Sequence, residues 1–255
     1  MKKLKAPFLK QHHKDARLQF GQTNQARDWT KIIWSDEKKF NLDGPDGYRD
    51  YWHDLRKEPL RFSRRNYGGG SLMIWGAFQS NRKLRLAFVN GRMGSAEYQD
   101  MLDAVFVPFL EDHDNENLIL RHDGAPAHRS RSTRDWLIAR DIETLDWPAC
   151  SPDLNSMENI WGLMVRRMYD KSARYENVDQ LKTAVLQAWE SITNEELQNL
   201  ILSMNNRMFQ SRTVRYLAEI NEAERLFGDK RARDHAERVY ERKSTPLAKG
   251  VEELS

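Results

Sequence analysis

Ile32-Ile33-Trp34-Ser35-Asp36 is an apolar run broken by a carboxylate. Short apolar runs of this kind read as buried strand, and strands disfavour aspartate. A second run repeats the pattern: Leu118-Ile119-Leu120-Arg121-His122-Asp123 ends in an acid just before the turn Gly124-Ala125-Pro126. A third acid, Glu158, opens a helix after Ser151-Pro152-Asp153-Leu154-Asn155. Two acids on strands and one at a helix start can converge on one point. Converging carboxylates repel unless cations hold them, and hard oxygen donors suit divalent ions. Two such ions about 3.5–4 Å apart can clamp the attacking and leaving oxygens of a phosphodiester. In that arrangement Asp36 is a rigid anchor, Asp123 bridges both ions, and Glu158 completes the second ion and helps orient the attacking water.

Each acid also has a plainer reading. Glu158 stands three residues after Asn155, the spacing of a capping box. Asp123 can close an Asx turn into Gly124. Asp36 could face solvent, since Glu37, Lys38 and Lys39 follow it.

Outward from these acids, the chain is punctuated by glycine and proline. A short basic helix is expected at 8–20 and a strand at 31–42. Gly44-Pro45-Asp46-Gly47 reads as a turn into a second strand at 48–53, forming a hairpin. A basic loop follows at 56–67, ending in Gly68-Gly69-Gly70. Strands are expected at 71–78, 84–89, 118–123 and 142–145. Tyr98, Met101, Leu102, Val105, Phe106, Phe109 and Leu110 recur at helical spacing and predict a helix over 95–112. Further helices are expected near 129–140, 155–171, 177–191 and 194–209. Adjacent strands first, then strands alternating with helices, imply a mixed sheet with helices on its faces. The expected segments are a basic lead-in (1–30), the α/β domain (31–210) and a charged, C-terminal helical tail (211–255).

Composition narrows the class. Apolar residues make up 39% and charged residues 31% of 255, with eight tryptophans to fill a core. That excludes a disordered chain, and no apolar stretch approaches the ~18 residues that span a bilayer. The basic start Met1-Lys2-Lys3-Leu4-Lys5 has no apolar secretory segment after it, so no signal peptide is expected. The single Cys150 excludes a disulfide framework and a cysteine-rich zinc site, and fits a reducing compartment such as the nucleus. Residues 1–70 hold 16 Lys/Arg against 9 Asp/Glu, a surplus of seven on a chain of net charge +3. A basic front points to a polyanion such as nucleic acid, or to solvated helix faces.

Four stretches carry a family resemblance: Trp34-Ser35-Asp36-Glu37-Lys38-Lys39-Phe40; Gly69-Gly70-Ser71-Leu72-Met73-Ile74-Trp75-Gly76; His122-Asp123-Gly124-Ala125-Pro126-Ala127-His128; and Trp147-Pro148-Ala149-Cys150-Ser151-Pro152-Asp153-Leu154-Asn155-Ser156-Met157-Glu158-Asn159-Ile160-Trp161. They resemble the catalytic domain of the mariner-like (Tc/mariner) superfamily of cut-and-paste DNA transposases. The 34 residues between Asp123 and Glu158 match its nematode-type branch. The resemblance implies a ribonuclease-H-like fold with an Asp-Asp-Glu triad at Asp36, Asp123 and Glu158, and two Mg²⁺ or Mn²⁺ ions. It implies hydrolysis of double-stranded DNA at transposon ends and joining of the freed 3′-hydroxyl to a target, typically at TA. A homodimer follows from the same resemblance, as does the expectation that helix-turn-helix end-recognition domains are missing from this chain; of cytosol and nucleus, the two reducing compartments, the nucleus is the expected one.

The chain departs from the family pattern at Gly124, where an asparagine is usual, at Ser156, usually proline, and at His122, commonly glutamine. Gly124 is expected to loosen the loop after Asp123. The basic loop, with Arg56, Lys57, Arg61, Arg64 and Arg65 around Phe62 and Tyr67, is assigned to DNA backbone contact or a partner subunit. His128 either orders the Asp123 turn or touches a phosphate, and His122 lines the sheet near the metals. Trp34, Trp75 and Trp161 read as core. The alternatives to a DNA-cleaving enzyme are a catalytically inactive DNA- or protein-binding module and a nuclease acting on RNA–DNA hybrids.

Overall fold

The computed structural model describes residues 9–42, 70–89, 91, 93–113, 116–169 and 175–209. The expected hairpin at 44–53, the basic loop with Arg56, Lys57, Arg61, Arg64 and Arg65, and the tail at 211–255 lie outside the described residues.

β1 (Ile32–Asn41) runs between two neighbours. It is antiparallel to β2 (Ser71–Gln79) and parallel to β5 (Ile119–Arg121). Ile32, Ile33, Trp34 and Ser35 are all buried, as are Ile74 to Gln79. Such unbroken burial marks strands covered on both faces. β3 (Arg82–Lys83) and β4 (Ala87–Val89) both pair with β2, giving the order β3-β2-β1-β5 with β4 beside β2. The strand expected at 84–89 is therefore split. Residues 84–86 oppose Ala77 and Gly76, three against two, which is a β-bulge. The expected strand at 142–145 shrinks to one parallel bridge from Thr144 to Leu120.

Helices cover both faces. On one, α2 (Ser95–Met101) passes through a π-helical stretch, Leu102–Phe106, into α3 (Val107–Glu111). The widened register sits just ahead of Pro108, which has no N–H to give a carbonyl in the preceding turn. α4 (Pro126–Arg129) and α5 (Arg131–Ala139) flank it, divided at Ser130, whose hydroxyl caps α5 by accepting from the Thr133 amide at 3.1 Å. Here Ile33, Trp75, Ala77 and Leu120 of the sheet pack with Tyr98, Leu102, Phe106 and Leu137. On the other face α6 (Ser156–Met168) and α7 (Val178–Glu190) pack on β1 and β2, with α8 (Asn194–Leu202) against α6. Trp34, Trp75 and Trp161 are fully buried. At about 150–250 Å² each and ~25 cal/mol per Å², each contributes roughly 4–6 kcal/mol of transfer free energy. That burial makes the sheet a rigid floor.

The chain divides into two compact units. The sheet and α2–α8 form one, over 28–147 and 155–202. The described part of the other comprises 9–27, 148–154 and 203–209. Within it α1 (Gln11–Thr23) carries the buried Arg17, which donates to both Asp153 carboxylate oxygens, at 2.8 and 2.6 Å, and to the Cys150 carbonyl at 3.2 Å. Arg17 of the expected basic helix is thus a structural cation. Among the described residues, no helix is long and apolar enough to cross a membrane.

Candidate active site

Asp36 sits midway along β1, opposite Gly76 of β2. Strand alternation turns Asp36 and Trp34 toward α6 and Glu37 toward α2. The Trp161 indole Nε1 donates to Asp36 Oδ2 at 3.1 Å. That approach depends on glycine at 76, where a Cβ would stand 2.7 Å from the Trp161 ring and 2.9 Å from Leu86 Cδ2. Burial pushes the Asp36 carboxyl up to about 7; Arg121 pulls it down, while Glu158 and Glu37 push it further up.

β5 ends at Arg121, so His122 and Asp123 have already left the ladder. Arg121 is only 2% exposed. Its Nη1 donates to the Ser35 carbonyl at 2.8 Å, and the Ser35 hydroxyl donates to the Arg121 carbonyl at 2.9 Å, tying β5 to β1 beside Asp36. The guanidinium lies 4.3 Å from the Trp147 ring centre, a cation–π distance. Nε has no hydrogen-bond partner among the described residues. Burial lowers its pKa, while the charges of Asp36, Asp123, Glu37 and Glu158 all act to raise it. The charges of four acids, drawn from a strand, a turn and a helix, therefore act on one buried cation.

Asp123 forms the expected Asx turn, its Oδ1 accepting from the Ala125 amide at 2.8 Å. The same oxygen accepts from His128 Nδ1 at 2.8 Å. That hydrogen bond, helped by the Ala125 amide against burial, holds the carboxyl down to about 2. Among the described residues Oδ2 accepts no hydrogen bond.

His128 lies on α4 and is 3% exposed. Its Nε2 stands 3.3 Å from Glu37 Oε1, an ion-pair contact rather than an aligned hydrogen bond. The Tyr98 ring packs 4.1 Å from the imidazole, and His122 lies nearly parallel to it at 5.2 Å. Burial opposes protonation of His128, but Asp123 and Glu37 outweigh it and raise the ring to about 9. His122 is the converse: burial, then the charge of His128, hold it to about 4. Burial raises the Tyr98 phenol, which keeps its proton at neutral pH, and its hydroxyl hydrogen-bonds with His122 Nδ1 at 3.0 Å. A phosphate contact from His128 finds no support here. Both ring nitrogens face carboxylates in the interior, and the residue orders the turn.

Glu158 lies in the first turn of α6. Asn155 caps that helix by accepting from the Met157 amide at 3.1 Å. The Glu158 amide donates to the Asn155 carbonyl at 3.3 Å, but among the described residues its side chain accepts nothing from the Asn155 amide, so the capping box is not formed. Its Oε2 lies 4.0 Å from Lys38 Nζ. At such half-exposed positions an ion pair is worth about 0–1 kcal/mol, too little to hold the carboxylate against a better cation.

Two further groupings complete the site. Glu37, Asp123 and His128 offer ligand atoms within 4.8 Å of one another. A single ion takes one ring nitrogen, whereas this imidazole engages a different carboxylate with each, so it acts as a spacer between them. Sequence reasoning passed over Glu37 and Arg121 as site residues and read Trp161 only as core. The signals were present: a cation inside an apolar run, and a buried indole N–H that needs an acceptor. The remaining donors, Asp36, Glu158 and Asp123 Oδ2, are hard oxygens of the kind a divalent cation takes, although among the described residues Asp36, Asp123 and Glu158 do not form a group with ligand atoms all within 4.8 Å of one another.

A mixed sheet with helices on both faces and acids at its centre defines the ribonuclease-H-like class. The DDE superfamily endonuclease family matches residues 31–182, more than half of the chain, and the chain belongs to that family. It is 47% identical over 205 residues to the Tc3 transposable-element transposase of Caenorhabditis elegans, covering 80% of this chain and 62% of that one. The chain thus spans under two thirds of that relative's length. Among solved structures it is similar to the Mos1 transposase paired-end complex with left transposon end, at TM-score 0.72 and 19% identity, over 84% of this chain and 66% of that one. It is also similar to the mariner Mos1 paired end complex with Mg, at TM-score 0.74 and 18% identity, over 84% and 65%.

Proposed function

We propose that this chain is the metal-dependent DNA-cleaving and strand-transferring domain of a cut-and-paste transposase. One arrangement carries the reading: the buried Arg121, bonded to the Ser35 carbonyl beside Asp36, is acted on by the charges of Asp36, Asp123 and Glu158, which are far apart in sequence. Asp36, Asp123 and Glu158 would hold two Mg²⁺ or Mn²⁺ ions, which stabilise charge on the attacking and leaving oxygens of a phosphodiester. Asp36 keeps its carboxyl proton up to about pH 7 and must release it to serve as a ligand. Arg121 holds the acids together beforehand, and Trp161 fixes the Asp36 carboxyl from the α6 side. In hydrolysis the water oxygen bonds to phosphorus and the P–O3′ bond breaks, freeing a 3′-hydroxyl. In strand transfer that hydroxyl oxygen bonds to a target phosphorus, the target's own P–O3′ bond breaks, and the proton passes to the departing 3′-oxygen.

The substrate is double-stranded DNA, first a transposon end and then a TA-containing target. The Tc3 relative and the Mos1 paired-end complex support that class, and the Mos1 complex with Mg supports the metal. Chromosomal DNA as substrate places the work in the nucleus, with two copies of the chain joining two ends. The test is nicking of a supercoiled plasmid in Mg²⁺ or Mn²⁺ by this chain and by Asp123→Ala. Loss of at least 100-fold in the variant is expected. Equal nicking by both removes the acids from the mechanism, and DNA retention without nicking by either identifies an inactive binding module.

A further inference from the structure

Resting on that reading, we infer that His128 is a positioning residue: clamped between Glu37 and Asp123, it pins Asp123 Oδ1 and leaves Oδ2 as the oxygen that would take a metal ion. A carboxylate on a turn rotates freely unless its other oxygen is fixed. Here two donors converge on Oδ1, the Ala125 amide and His128 Nδ1, both at 2.8 Å. The imidazole cannot swing away. It is 3% exposed, Tyr98 covers one side at 4.1 Å, and Glu37 stands 3.3 Å from the far nitrogen. Glu37 is itself set by β1, one residue from Asp36. One rigid strand thereby locates two of the acids, Asp36 directly and Asp123 through Glu37 and His128. Partners that orient a metal ligand typically matter 10- to 100-fold in metal affinity.

The two ring nitrogens can be tested separately. Asn at 128 keeps a donor near the Nδ1 position, toward Asp123; Gln keeps one near Nε2, toward Glu37. Mn²⁺ alone is titrated calorimetrically into the full chain, with melting in chelator as the check of folding. Expected is Mn²⁺ affinity for His128→Asn within about threefold of the parent, and a loss of 10- to 100-fold for His128→Gln, although both lose the imidazole's packing. Equal affinities in the two variants, whether both retained or both lost, overturn the positioning role. Asp123→Ala is the control for the underlying reading. If it binds Mn²⁺ as the parent does, the metal site itself is misassigned; if it loses Mn²⁺ while His128→Gln does not, only the role of His128 falls.

Discussion

Asp36 is the residue at which folding and chemistry pull apart. Its carboxyl is raised from 3.8 to about 7, first by burial and then by Glu158 and Glu37. For a group raised on folding, the stabilising contribution is complete below the unfolded pKa and is lost as pH climbs through the folded one. Asp36 therefore weakens the metal-free fold progressively from about pH 4 to 7. His122, lowered to about 4, acts oppositely over an overlapping window: its contribution is present above 6.5 and lost as pH falls toward 4. The parent's own pH curve mixes these, but its difference from Asp36→Asn isolates the aspartate. In chelator, Asp36→Asn should melt with the parent near pH 4 and above it at pH 8. The expected gain is on the order of 2 kcal/mol, roughly 4–8 °C in Tm. The same variant should lose Mn²⁺ binding. A constant offset at both pH values would show that the carboxyl ionises freely in the fold.

At the scale of elements, the bulge at residues 84–86 and Gly76 work together. The bulge brings Leu86 against the strand where Gly76 leaves room, and Trp161 of α6 fills that room to reach Asp36. Gly76→Ala puts a Cβ 2.7 Å from the Trp161 ring, a distance real contacts do not show. Overpacking of this kind costs about 1–3 kcal/mol. It should also push the indole off Asp36 Oδ2, so Mn²⁺ affinity falls along with Tm; unchanged affinity in a folded variant would detach Trp161 from the site. β2 was legible in the sequence because an apolar run bounded by glycine has few other uses, and β1 from the apolar run that Asp36 breaks. The bulge was not, since strand pairing is a long-range property and Leu84 and Leu86 look like ordinary strand residues. Gly124, a departure from the family pattern, was expected to loosen the loop after Asp123; with glycine there the Asx turn is formed. A Cβ there would meet Arg129 no closer than 3.5 Å, so neither strain nor crowding demands glycine. Asp36, Asp123, Glu158 and His128 could be named from type and spacing, whereas Glu37 and Arg121 emerge only when strand alternation and pairing place them.

Across the whole molecule the charge is nearly balanced, at +3, yet the sheet unit concentrates four acids about one buried arginine. Without metal, Arg121 compensates this cluster together with His128, between Glu37 and Asp123, and Lys38, beside Glu158. Removing one partner of a buried charge network typically costs about 3–5 kcal/mol. Arg121→Met keeps the aliphatic bulk, loses the charge, and leaves the Ser35 carbonyl without its donor. In chelator it should melt roughly 6–12 °C below the parent, taking about 3 kcal/mol and this size of domain. Part of that deficit is electrostatic and can be filled from outside: a cation among the acids supplies what the guanidinium did. A ligand that binds only the folded state stabilises by RT ln(1 + [L]/Kd), so tighter binding gives a larger rise. With the competing arginine gone, millimolar Mg²⁺ should raise the melting temperature of Arg121→Met more than that of the parent, while the loss of the Ser35 contact persists in both media. The melt is run at pH 8, where Asp36 is ionised; at pH 5, with Asp36 protonated, the chelator deficit should shrink. If Mg²⁺ lifts parent and variant equally, Arg121 is a packing residue of the β1–β5 seam and the acids do not depend on it for their convergence.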